Sequence, residues 1–344
     1  MKKLLVSLAA LLAFFALAAY LAINTVAGQD FLLARAVALA AAAPDELEDG
    51  LHVFVCGSAA PMPAPDRAQA CIAVLTPEHY FIVDAGAGSA NNLGLEQLPS
   101  ERLSGVFLTH FHSDHISELP TINVVSWASG RKGPMKLYGP RGVERIADGF
   151  NMAFTDDRRH RMDHHGREFM PEVFGVMQGI EISETETLEF GALKIRAFPV
   201  NHSPINPAVG YRFDYKGRSV VITGDTLVTD TLREASTGAD LLLSDALSLP
   251  IVQALQKAST DVGRDRIAKI LGDIQDYHAS AASVVELTKS TDIGMTALYH
   301  LVPGPRNAVM ENIFKRGFTD NMLLTKDRMW FVLPASSSEI QVRR

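Results

Sequence analysis

The densest chemistry in the chain lies in Thr109-His110-Phe111-His112-Ser113-Asp114-His115, directly after the apolar run Gly105-Val106-Phe107-Leu108. Four side chains able to bind a metal ion fall within six residues. At a strand end alternate residues point the same way, so His110 and His112 can hold one ion. A turn then aims Asp114 and His115 at a second. Imidazole and carboxylate are donors that zinc accepts, and a catalytic zinc site keeps one position open for water. Manganese or iron also suits a His/Asp set. The chemistry implied is hydrolysis by an activated water. The two cysteines, Cys56 and Cys71, form no C-x-x-C pair, which excludes a cysteine-rich zinc site. Both sit in apolar, strand-like runs and read first as buried thiols acting as small hydrophobes. A disulfide in an exported chain is the alternative. Residues 155–168 are dense in His, Arg and Asp. Either they form a substrate-facing insertion, in which Arg158, Arg159, Arg161, His164 or His165 meets an anionic group, or they are a solvated polar loop. Trp127 either lines the pocket or packs in the core.

These residues need a scaffold, and the sequence supplies one. The 344 residues are 47% hydrophobic and 21% charged, an ordinary globular balance with room for one large domain or two small ones. The runs LHVFVCG, QACIAVLT, HYFIVDAG and GVFLTH are short, rich in β-branched and aromatic residues, and bounded by turn formers, which predicts strands. Residues 140–152 read as a helix. Residues 181–202 read as two or three strands with a turn at Gly191, and 208–225 as a hairpin turning at Lys216-Gly217. Helical stretches over 249–271 and 279–290 follow, the second leading into the strand MTALYHL. Strands first, then mixed elements, then a repeat of that order predict an α/β protein, an αββα four-layer sandwich. Upstream, Met1-Lys2-Lys3 is followed by an apolar stretch with no charge until Asp30. Such a stretch is long enough to cross a bilayer, with the lysines on the cytoplasmic side. Residues 1–29 therefore read as a transmembrane anchor or, with a cleavage, a signal peptide. Both readings export the remainder, either anchored in an inner membrane and facing the periplasm or free within it. Residues 30–45 have the composition of a juxtamembrane helix ending at Pro44, and residues 46–344 read as the catalytic domain.

On the His110–His115 motif the chain resembles the metallo-β-lactamase superfamily, and further motifs of that family follow in order over residues 52–302. Asp84, in IVDAGAG, matches the acidic residue that orients the site from behind a ligand. His202, in PVNHS, matches the third histidine of the first metal. Asp225, in VITGDT, matches a carboxylate bridging both ions, and His300, in ALYHL, the last histidine of the second. The resemblance thus implies His110, His112 and His202 on one zinc ion, Asp114, His115 and His300 on the other, and Asp225 between them. Two ions about 3.5–4 Å apart can share a water and bring its pKa towards neutrality. Asp114 is then placed to take the water's proton, and Asp84 to hold a ligand histidine in its correct tautomer.

Within the superfamily, the bridging Asp225 argues against β-lactam hydrolysis, although glyoxalase II proteins keep such a bridge too. Tyr277-His278-Ala279-Ser280-Ala281, ahead of an amphipathic helix, resembles the ribonuclease Z and arylsulfatase-like group. There a histidine at this place contacts an oxyanion or protonates the leaving group, so the resemblance assigns that role to His278, beside a helix N-terminus that favours anions. The opening FVCGSAAPMP and the stretch from His202 to Phe213 resemble the same group. Two departures stand out. Ribonuclease Z proteins carry a His-Glu pair where this chain has Ser244-Asp245, and they carry a basic, Gly- and Pro-rich arm that is not evident here. A net charge of -7 also lacks the basic excess of nucleic-acid binders. The expectation is a binuclear metal hydrolase acting on a phosphodiester or an aryl sulfate ester. A small anionic ester is the expected substrate, nucleic acid is disfavoured, and a homodimer is expected from the resembling group. The alternatives are a thioester, lactone or β-lactam hydrolase, a ribonuclease Z-like endoribonuclease, and a membrane-tethered binding protein with a vestigial site.

Overall fold

A computed structural model describes residues 2–40 and 47–343. They form two compact units, divided between Glu46 and Leu47. The first unit is helical, with helices Lys2–Asn24 and Val26–Ala40. Its stretch Leu5–Asn24 is long and apolar enough to cross a membrane. The helix expected over 30–45 begins earlier, at Val26, because Ala- and Leu-rich sequence carries it back through Gly28. Residues 41–45 of that expectation lie outside the described residues.

The second unit is built on two sheets. Across the first, the strands run in the order Gln341–Arg343, Trp330–Pro334, Gly50–Gly57, Cys71–Leu75, Tyr80–Val83, Leu103–Phe107, Met135–Gly139 and Met177–Glu181. Across the second the order is Met322–Leu324, Met295–Val302, Leu241–Leu247, Arg218–Ile222, Val209–Tyr215, Leu193–Pro199 and Thr187–Phe190. The hairpin of Val209–Tyr215 and Arg218–Ile222 turns at Lys216-Gly217, both in the left-handed region that such a tight turn needs. Tyr80–Val83 and Leu241–Leu247 are buried along their whole length; the first is an unbroken apolar run, and the second is apolar except for Ser244 and Asp245. Between the sheets the ring of Phe107 stacks on Tyr138 of its own sheet at 4.7 Å. It also meets Tyr211 and Phe213 of the facing sheet at 5.1 and 6.1 Å. Helices Leu119–Ala128 and Val143–Ala153 cover the outer face of the first sheet through Leu119, Ile122, Val143 and Ala147. Helix Ala281–Lys289 covers the second through Val284 and Val285. The architecture is the αββα four-layer sandwich.

Three local expectations change, and the open choice for Trp127 closes on core packing. Cys56 and Cys71 are not free thiols but a disulfide, with Cα atoms 5.0 Å apart. Their strands pair antiparallel, and an irregularity in register between Val55 and Gly57 sets Cys56 beside Cys71. The single helix expected over 249–271 is two, Leu249–Asp261 and Asp265–Asp273, broken at Gly263 with φ 71°. Residues 155–165 form a helix rather than a loop, laced by Arg159–Asp156 and Arg161–Asp157 pairs one turn apart. Trp127 is core, packed with Met162 and Met170 and donating from Nε1 to the Pro171 carbonyl at 3.0 Å.

The disulfide spans 15 positions of sequence. Replacing both cysteines by alanine is expected to lower stability by about 3 kcal/mol in urea denaturation. An unchanged midpoint would show that the strands close this loop unaided.

Candidate metal centre

The candidate ligands sit at the ends of strands that finish at one edge of the sandwich. Asp84 follows Tyr80–Val83, His110 and His112 follow Leu103–Phe107, and Asp114 and His115 lie in the single helical turn Ser113–Ile116. His202 follows Leu193–Pro199 and Asp225 follows Arg218–Ile222. His300 lies within Met295–Val302. The backbone is forced at this edge. Asp84 and His300 have φ of 59° and 42°, a region costly for any residue but glycine. Gly224, just before Asp225, has φ 62°, and a Cβ there would come within 2.8 Å of the Thr109 side chain.

Two groups of donor atoms result. In the first, His112 Nδ1 lies 2.9 Å from His110 Nε2 and 3.3 Å from His202 Nε2. The Nε2 atoms of His110 and His202 each lie 3.7 Å from Asp225 Oδ2. In the second, Asp114 Oδ2 lies 3.5 Å from His115 Nε2 and 3.1 Å from His300 Nε2. Asp225 reaches this group as well, at 3.4 Å from His115 and 3.3 Å from His300. Donors around a tetrahedral ion at 2.0–2.1 Å stand about 3.3 Å apart, so these spacings suit one ion inside each group. His115 Nε2 and Asp225 Oδ1 are buried without a hydrogen-bond partner, a cost that a bound cation would remove. The residues therefore fit the two ions implied by the sequence, and all seven expected ligands come together.

Behind the ligands, hydrogen bonds fix the rings. Asp84 Oδ2 accepts from His115 Nδ1 and from Thr109 Oγ1, both at 2.8 Å, while Oδ1 accepts from the Thr109 amide at 2.9 Å. His202 Nδ1 donates to the Tyr277 carbonyl at 3.1 Å. In both rings Nε2 is left as the free donor atom. Burial, with His115 nearby, holds His110 well below the ordinary imidazole value, and burial brings His202 down to about 4. Both are thus neutral, as ligands must be. The other group differs: against the effect of burial, Asp225 draws His115 well above and His300 above the ordinary imidazole value. In return His300, His115 and His278 outweigh burial and hold the Asp225 carboxylate well below its usual range. A cation bound there would displace those protons.

His278 lies beside this cluster, its Nδ1 4.0 Å from Asp225 Oδ2 and 3.0 Å from Asp245 Oδ2. Burial raises Asp245 to about 6, against the pull of His278. Sequence reading registered Asp245 as a departure from a family pattern and gave it no role. The signal available was a carboxylate inside the otherwise apolar strand Leu241–Leu247. The Tyr277 carbonyl and the Thr109 side chain were missed because only tertiary contact reveals them. His112, Asp114, Asp225, Tyr277 and His278 line one cavity of about 360 Å³. Arg158, Arg159, Arg161, His164 and His165 are not among its lining residues.

Comparison with known proteins shows the family and the fold. Residues 79–301 match the family model described as the β-lactamase superfamily domain. A ribonuclease Z of Mycobacterium bovis is 30% identical over 256 residues, covering 74% of this chain and 86% of that protein. One from Mycobacterium marinum is 29% identical, covering 74% and 87%. Among solved structures, the metallo-β-lactamase fold protein YhfI of Bacillus subtilis aligns with a TM-score of 0.61 at 18% identity, over 83% of this chain and all of that one. A diphosphatase of the PhnP family aligns at 0.58 and 16% identity, over 81% and 96%.

Elemental analysis of the purified chain is expected to find two transition-metal ions per molecule, and Asp225→Ala at least one fewer. Two ions retained in that variant would remove Asp225 from the bridge.

Proposed function

The chain belongs to the metallo-β-lactamase superfamily, and from that premise we propose that it is a binuclear zinc hydrolase of phosphodiesters or aryl sulfate esters. The observation that carries this reading is His278, which lines the same cavity as Asp114 and Asp225, is held from behind by the buried Asp245, and is not needed to complete either donor group. Imidazole-rich sets suit zinc. Ions bound at the two groups would supply Lewis acidity and lower the pKa of a water towards neutrality. Asp114, lining the cavity, takes the proton of the attacking water. Water oxygen bonds to phosphorus or sulfur, the ester P–O or S–O bond breaks, and the leaving oxygen receives a proton from His278. With His278 Nδ1–H given to Asp245, Nε2 is the atom that exchanges this proton. Asp84 and the Tyr277 carbonyl keep the rings of His115 and His202 in register throughout.

A ribonuclease Z-like activity is the second reading, favoured by the 30% identity to the Mycobacterium bovis protein. One feature weighs against it: among the described residues, no Lys or Arg lines the cavity. We further propose that the second unit is exported, either anchored in an inner membrane and facing the periplasm or periplasmic after signal cleavage. Lys2 and Lys3 ahead of the apolar Leu5–Asn24 stretch support export, and so does the Cys56–Cys71 disulfide, since such bonds persist in oxidising compartments.

Bis(p-nitrophenyl) phosphate, p-nitrophenyl sulfate and a chromogenic β-lactam separate the chemistries. The diester or the sulfate is expected to turn over, and chelation to abolish the reaction. His278→Ala is expected to keep both metals and to lose kcat by about 10²–10³-fold, the scale of a general acid. Turnover of the β-lactam alone would refute the ester assignment.

A further inference from the structure

One wall of the catalytic cavity takes no part in the hydrolysis. Helix Asp265–Asp273 and the turn after it place Ile267, Ile270, Leu271 and Ile274 at spacings of three, four and seven, one stripe of a helix. All four line the cavity that also holds His112, Asp114, Asp225 and His278, and Met62 joins them. Leu271 and Ile274 are buried against the body of the domain. Ile267 and Ile270 are 46% and 54% exposed, although the same helix carries Asp265, Arg266, Lys269 and Asp273 for contact with water. Large apolar side chains left open beside a cluster of buried donors are unfavourable unless something covers them.

The charges of the cavity sharpen the point. Its acidic side chains, Asp114 and Asp225, belong to the donor groups, and among the described residues no Lys or Arg lines it. A polynucleotide brings a phosphate on each side of the scissile one, and its binding rests on basic partners for those phosphates. Here the flank beside the reacting centre is aliphatic instead.

We propose, resting on the reading of the site as a phospho- or sulfo-ester hydrolase, that the wall of Ile267, Ile270, Leu271 and Met62 selects an ester bearing an alkyl or aryl group. The anionic centre of the substrate sits at the donor groups, and its apolar group lies along helix Asp265–Asp273. Ile267 and Ile270 act as specificity determinants by losing contact with water when that group docks. Each methylene of the apolar group then adds about threefold to kcat/KM.

The test uses the full chain held in lipid nanodiscs and p-nitrophenyl phosphodiesters whose second group is methyl, butyl or hexyl. The wall predicts kcat/KM rising about threefold per methylene, chiefly through KM. Ile267→Gln with Ile270→Gln is expected to bring the hexyl diester down towards the methyl diester while both metals are retained. Calorimetric binding of hexylphosphonate against methylphosphonate gives a readout that does not depend on turnover, and the same preference is expected there. Equal kcat/KM across the series, or a slope unchanged in the double variant, would overturn the wall and leave the hydrolase reading standing. Failure to cleave any diester or the aryl sulfate would overturn that reading and the wall with it. Two sources can supply such a group. With the hexyl preference intact, cleavage of a diacyl phosphodiester presented in vesicles assigns it to a membrane lipid, and cleavage of the dissolved diesters alone assigns it to a soluble amphiphile.

Discussion

Asp225 has to remain ionised in full burial, and the second unit is arranged around that requirement. Its carboxylate lies 3.3–4.0 Å from nitrogens of His110, His115, His202, His278 and His300. An isolated carboxylate taken out of water costs several kcal/mol even after relaxation, so the imidazoles around Asp225 serve the fold as well as any cation they would hold. Those five histidines come from four separate stretches of chain. They meet at one carboxylate only if the strands that carry or precede His110, His115, His202 and His300 reach the same edge and the turn after helix Asp265–Asp273 brings His278 to it. The left-handed backbone at Asp84 and His300 and the missing Cβ at Gly224 follow from that convergence. Each strained non-glycine residue costs about 1–3 kcal/mol, which the packed interior beneath it offsets.

The link from interior to site is short. Phe107, locked between the sheets, is followed by Leu108, whose carbonyl accepts from Tyr211 Oη at 2.6 Å, and by Thr109, whose carbonyl accepts from the Val209 amide at 3.0 Å. Thr109 then donates to Asp84, Asp84 holds His115, and His115 faces Asp225. Sheet-to-sheet packing and ring orientation are therefore one continuous chain of contacts. A change that loosens the sandwich at Phe107 displaces a ligand within a few residues, with no boundary between a stability effect and a catalytic one.

How much of this the sequence disclosed depended on how local each feature is. His110, His112, Asp114 and His115 were legible from spacing alone, because strand alternation and one turn place them. His202, Asp225 and His300 were legible only through resemblance, since nothing local says that strands more than 80 residues apart end together. Asp245 stayed without a role because its partner His278 lies 33 positions away. The disulfide depended on a register irregularity between two strands, which composition does not encode. Neither reading of residues 155–168, as a substrate-facing insertion or a solvated polar loop, included the helix over 155–165, because its charges mask it even though its own i to i+3 and i to i+4 pairs support it. The spacing of Ile267, Ile270, Leu271 and Ile274 was plain in the sequence, but not that Ile267 and Ile270 stand open beside the donor groups.

That last case bears on what relatedness transfers. The family match over residues 79–301 spans the elements that carry the candidate ligands, and geometry constrains those elements tightly. Helix Asp265–Asp273 and the stretch holding Met62 carry no ligand, so the metal geometry leaves their surfaces free to change. In the proposed hydrolysis, water activation, proton delivery and charge neutralisation fall to Asp114, His278, Asp225 and their partners, whichever organic group flanks the anionic centre. The choice of that group rests on side chains such as Ile267 and Ile270, where a single polar replacement alters the environment without moving a donor atom. Substrate identity must therefore be argued from the walls of the cavity and not from its floor. In this chain the walls are aliphatic where a polyanion would require cations.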